Sequence, residues 1–138
     1  MATSLNTTRV ARDSGEQQVQ YLRKRYTFAD VAATVTVGKI PAGASVIGGG
    51  VHVITAFNAT TTNVVNVGYI GATTVASAYG TALTTAAVGF IVLDELGSTT
   101  NIQGTVEHTI TAAPTETGAA STAGVADIIV TYVLNNDL

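Results

Sequence analysis

The side chains of this 138-residue chain that could do chemistry are two histidines and nine carboxylates, and their spacing limits what they can do. His108 follows Glu107, and Asp94 precedes Glu95. Neighbours on a strand point to opposite faces, so neither pair can share a proton or a metal ion. His52 and His108 could meet across strands, but two imidazoles without a nearby carboxylate are a poor metal set, and we read both as packed or half-exposed. The chain has no G-x-S-x-G elbow. The glycines of "GGGVHV" (Gly48 to Val53) and "GYIG" (Gly68 to Gly71) lack the lysine and the following helix of a phosphate site. There is no cysteine, which excludes thiol chemistry. We therefore expect no enzyme: no catalytic residue, no metal and no cofactor.

The positive charge is the stronger signal. Arg9, Arg12, Arg23, Lys24 and Arg25 are five of the six basic residues, and none follows Lys39. Residues 1–25 carry five basic and two acidic groups, a net +3, whereas residues 26–138 carry one basic and seven acidic groups, a net −6. Tyr21 and Tyr26 flank the run Arg23 to Arg25, and aromatics between cations can stack on bases. Yet the footprint is small and an acidic body repels phosphates. We rank a protein partner first, a solvated face second and nucleic acid third. On a strand, Arg23 and Arg25 fall on one side and Lys24 on the other. This makes the two arginines the best candidates for partner carboxylates, which a planar guanidinium holds with two bonds.

These residues must be carried by β-strands. Residues 1–20 are polar and read as an N-terminal arm, with "SGEQ" (Ser14 to Gln17) as a possible cap for a short helix presenting Val19, Tyr21 and Leu22. Residues 21–138 read as one domain, for which the length is suitable. Short β-branched runs broken by Gly, Pro and Asn predict strands over "ATVTVGKI", "VIGGGVHVITAF" (Val46 to Phe57), "VVNVGYIG" (Val64 to Gly71), "VGFIVLDE" (Val88 to Glu95), "IQGTVEHTI" (Ile102 to Ile110) and "VADIIVTYVL" (Val125 to Leu134). Three glycines inside the second run predict a bulge or bend. Residues 72–87 are ambiguous between short helix and loop, and Ala113 to Gly124 read as a polar loop. The last strand is apolar on both faces, so both should be covered, with Asp127 needing water or a hydrogen-bond donor. Seven or eight strands with short connections predict an antiparallel β-sandwich, of which a jelly roll is one form.

Charged residues make up only 11% of the chain, well under the ~25% of ordinary soluble domains, which suggests a surface largely covered by partners. No run of 18 apolar residues is present to span a membrane, and the N-terminus lacks the apolar core of a secretory signal. The expected site of folding is a cytoplasm.

The stretch "GKIPAGASVIGGGVHVITAFNATTTNVVNVG" (Gly38 to Gly68), together with "STAGVADIIVTYV" (Ser121 to Val133), resembles small virion proteins of tailed bacteriophages, of the head decoration or cement type. The resemblance spans roughly residues 21–134, leaving out 72–100. It departs from the family at "GGGVHV", where bulkier residues are usual. It implies a jelly-roll-like β-sandwich and a homotrimer seated on the major capsid protein of an icosahedral head. It also implies a virion location, after synthesis in the cytoplasm of a bacterial host, and no catalytic residues. In that setting Arg9, Arg12, Arg23, Lys24 and Arg25 would be a basic foot on an acidic shell. The alternative is a spike, fibre or tail component that binds a host receptor, although a long fibre would show internal repeats and none is found.

Overall fold

The computed structural model describes residues 19–97 and 104–134. Arg9, Arg12, the proposed helix cap at Ser14 to Gln17 and Ile102 lie outside them. Among the described residues eight strands follow one another: β1 (Val19–Thr27), β2 (Val35–Ile40), β3 (Ser45–Thr55), β4 (Thr62–Ile70), β5 (Thr74–Thr84), β6 (Gly89–Val92), β7 (His108–Thr117) and β8 (Val125–Val133). A 3-10 turn, Phe28–Asp30, follows β1, and Thr27 and Asp30 cap it reciprocally.

The strands form two four-stranded sheets, ordered β1-β8-β3-β6 and β2-β7-β4-β5. Every pairing is antiparallel, and the first partners are β1 with β8, β2 with β7, β3 with β6 and β4 with β5. That nested set is one long hairpin with its tip between β4 and β5, rolled so that its strand pairs alternate between two sheets. Pairings of β3 with β8 and of β4 with β7 close each sheet. This is the eight-stranded jelly roll, a β-sandwich as the strand pattern predicts.

Alternation along each strand builds the core. In β8 the even-numbered residues Ala126, Ile128, Val130 and Tyr132 are buried, facing Val65, Val67, Tyr69 and Ile110 from the opposite sheet. On the odd-numbered face of β8 Val125, Ile129 and Val133 are only half-buried around the buried Asp127, so the two apolar faces are not equivalent. In β3 the register slips between Val46 and Gly48, a bulge at the glycine run. Gly49 sits there at φ +126, and a side chain would strike the carbonyl of Ile129, so glycine is required.

Three segments differ from the strand pattern expected. Val19, Tyr21 and Leu22 belong to β1, not to a helix, because β8 offers them a full antiparallel partner. Residues 74–84 form β5, in which register breaks against β4 absorb the small and polar residues that blur its pattern. Strand β7 begins at His108 and continues through Ala113 and Pro114 to Thr117. Pro114 pairs with Val65 of β4 but lies beyond the last β2 pair, at Ala112, where β7 has a strand on one side only, as suits a proline.

Candidate partner-binding face

The cation run sits on an edge strand, β1, whose one described strand partner is β8. Arg25 lies directly opposite Asp127, and Arg23 opposite Ile129. Paired residues share a face, so both arginines stand on the outer surface of the β1-β8-β3-β6 sheet, away from the core. Lys24 pairs with Ile128 and lies on the other side of the strand, exposed at the sheet edge.

Asp127 gathers both guanidinium groups. Arg25 Nε donates to Oδ1 at 2.8 Å and its Nη2 to Oδ2 at 3.2 Å. Arg23 Nε donates to Oδ2 at 3.0 Å, and its Nη2 also donates to Oδ2. The carboxylate is 1% exposed while each arginine side chain is 55% exposed. A buried carboxylate in an otherwise apolar strand needs cations, and the facing positions of β1 supply them. The hydrogen bonds from Arg25, joined by those of Arg23 and the charge of both, hold the Asp127 carboxyl down to about 2 against the opposing effect of burial. The arginines selected as partner contacts thus have an ion partner within their own chain. Each still has an Nη1 that makes no bond to Asp127 and a largely solvent-facing head.

Around this cluster the outer face is apolar. Val19 and Tyr21 on β1 are 63% and 68% exposed, and Phe90 and Val92 on β6 are 54% and 62% exposed. Phe90 shares a row with His52, Asp127 and Arg25, and a side chain on Gly50 would collide with its ring. Gly50 therefore leaves room for the Phe90 ring, which covers it. The opposite outer surface, on β2-β7-β4-β5, is richer in threonine: Thr62, Thr84, Thr115 and Thr117 are exposed there together with Ile70, and Thr62 and Thr117 hydrogen-bond to each other at 2.6 Å.

The two histidines do not meet. His52 lies on the outer face just described, in one sheet, and His108 lies in the other, facing the core. The His108 ring stacks on Tyr69 with centroids 4.1 Å apart, and Gly71 and Gly104 crowd its edge. Its Nδ1 is buried without a hydrogen-bond partner, and burial pushes the imidazole below its ordinary pKa. Among the described residues no three metal-binding side chains come together. The sequence pointed to Arg23 and Arg25 by charge and to Asp127 by its isolation in an apolar strand, but it did not join them. Phe90 and Val92 were missed, because β6 is too short for its alternation to show which face is exposed.

Comparison with solved structures places this fold. The chain superposes on a chain of the cyanophage Pam1 capsid asymmetric unit with a TM-score of 0.67 at 25% identity, covering 95% of this chain and 96% of the other. Its structural neighbours are phage capsid components. A second, in the acidic stable capsid structure of Helicobacter pylori bacteriophage KHP30, matches in fold with a TM-score of 0.65 at 18% identity, over 86% of this chain and 90% of that one. No protein-family model and no curated protein matches the sequence. The capsid neighbours agree with the resemblance to phage virion proteins carried by Gly38 to Gly68 and Ser121 to Val133.

Proposed function

We propose that this chain is a structural virion protein that decorates and stabilises a bacteriophage head, binding the major capsid protein as a homotrimer after synthesis in the cytoplasm of its bacterial host. The observation that carries the reading is the jelly roll shared, over 95% of this chain, with a chain of the Pam1 capsid asymmetric unit. Decoration, as opposed to building the shell itself, is supported by the resemblance of Gly38 to Gly68 to cement proteins and by the contrast between the two outer faces. A protein seated on a surface needs one adhesive side and one that water can cover, and the apolar and threonine-coated sheets supply that pair. In this reading the residues that precede β1 form an arm whose Arg9 and Arg12, with Lys24 and the exposed heads of Arg23 and Arg25, engage acidic groups of the shell. Each such contact is worth only about 0–1 kcal/mol, and a trimer multiplies them by avidity.

The test mixes purified protein with shells assembled from the same phage genome lacking the gene for this chain. The expected result is saturable binding at a whole multiple of the local three-fold sites, with greater resistance of the shells to heat. Shells that take up no protein at any concentration overturn the proposal.

A further inference from the structure

Resting on that reading, we infer that the outer face of the β1-β8-β3-β6 sheet is the surface that seats on the shell, and that its occupant is an apolar patch of the shell protein carrying a carboxylate received by Arg23 and Arg25.

Three observations carry this. First, the exposed apolar side chains of this face lie on both edges of one sheet, Val19 and Tyr21 on β1 and Phe90 and Val92 on β6, with half-buried Ile129 and Val133 between them. Isolated exposed apolar residues are ordinary, whereas a set spread across one sheet face marks an interaction surface. Second, the charge at the centre is unbalanced. Among the described residues two guanidinium groups share one carboxylate, leaving a surplus of one positive charge inside an apolar rim. The surplus selects a partner with an anionic group. It also opposes symmetric pairing of two copies through this face, which would set like charges against each other. Third, the arginines are held before any partner arrives. Asp127 engages Nε and Nη2 of each, which fixes both planes and leaves Nη1 of each for a second acceptor. A side chain already ordered loses less entropy on binding, and a second carboxylate completes a network of alternating charge. Asp127 is thus a positioning residue and the two arginines are the contacts.

A glycine of β3 suits the same purpose. Gly48, opposite Thr131 on β8, faces open space, so a partner segment can approach the backbone at that point.

The test leaves the arginines intact, because they also stabilise the fold. Tyr21→Glu and Val92→Glu each place a charge at a position more than 60% exposed, and Thr84→Glu with Thr115→Glu does the same on the opposite sheet as a control. Urea midpoints establish that the variants fold, and binding to the gene-deleted shells is then measured at low and high salt. The expected result is at least about a tenfold loss of affinity for each variant of the first pair and less than about twofold for the control. Wild-type binding should also weaken as salt rises. Should either glutamate variant unfold, Tyr21→Ser with Val92→Thr makes the same comparison without added charge. Wild-type protein that binds shells while the first pair binds equally well overturns this inference and leaves decoration standing. Wild-type protein that does not bind shells at all overturns both. Variants of the first pair that dissociate an oligomer in solution but still decorate shells assign the face to a second copy, which also overturns it.

Discussion

Removing the two arginines should damage the protein more than removing the aspartate they hold. Asp127 is fully buried, whereas each guanidinium is more than half in water. Arg23→Ala with Arg25→Ala therefore leaves that carboxylate without a cation, a loss of about 3 kcal/mol at pH 7, the low end for a broken buried pair because water reaches the group once the side chains over it are cut back. For a domain of this size that lowers Tm by about 10–20 °C. Asp127→Asn instead leaves two cations free to turn into solvent. Its cost is set by the shift of the Asp127 carboxyl from 3.8 to about 2. At 1.36 kcal/mol per unit this is at most about 2.5 kcal/mol, and about 1–2 once solvent screening of the exposed guanidinium groups is allowed for. The triple variant should recover most of what the double loses, because the stranded charge is gone. The pH dependence has a definite sign. A depressed carboxyl contributes stability that is complete above about 3.8 and fades as pH falls toward 2. Without the arginines burial raises the same carboxyl, so acid removes the penalty by protonating it, and the gap between wild type and double variant narrows from pH 7 to pH 3. Urea denaturation of the four proteins at both pH values is the assay. A double variant no less stable than Asp127→Asn, or a gap independent of pH, refutes the claim that the arginines serve Asp127.

Three further outcomes are expected. Ile128→Ala, at a site wholly inside the core, should cost about 2–5 kcal/mol, and Ile129→Ala on the half-buried outer face clearly less, as read by urea midpoints; equal costs would mean that the face of β8 has been inverted. Gly49→Ala should cost about 3 kcal/mol or more through its positive φ and the collision with Ile129, while Gly48→Ala, with open space around it, should change stability by under about 1 kcal/mol in thermal melts. His108 is surrounded by Tyr69, Ile40, Gly71 and Gly104, with the exposed Lys39–Glu107 pair on the neighbouring positions. Its lowered pKa makes stability complete above the ordinary value of 6.5 and lost as pH falls below it, so wild type should lose more stability between pH 7 and pH 5 than His108→Phe, whose ring stacks without titrating. Identical slopes, or an NMR titration of His108 at or above 6.5, would remove that cause.

Much of the fold was legible because strand alternation is a local signal with a global consequence. Val51 and Val53, Val65 and Val67, and Ile128 and Val130 each recur at period two, and all six are fully buried. The glycine run correctly signalled a bulge. What escaped was whatever depended on long-range pairing. Which face of β8 meets the opposite sheet is undecidable from "VADIIVTYVL" alone, since Ile128 and Ile129 are chemically alike and only the register with β1 and β3 separates them. Likewise β5 concealed its strand because its register breaks against β4 interrupt the alternation. The candidate site was legible as charge but not as geometry: Arg25 and Asp127 are 102 positions apart in sequence.

That separation bears on how the clustered positive charge is understood. Read from sequence, five cations near the N-terminus look like a single feature with a single purpose. In the folded chain the three that are described divide. Arg23 and Arg25 face outward and neutralise a carboxylate in the next strand, whereas Lys24 points the other way from an exposed edge, where a lysine discourages strand-to-strand aggregation. A substitution that removes all three would change stability, edge protection and partner contact together, and its effect on shell binding could not be assigned to any of them. Exposed apolar positions such as Tyr21 and Val92 hold no ion pair, so changes there report on the surface with the least disturbance of the fold. Adhesion by this face therefore has to be tested at its rim, while its charged centre is tested through stability.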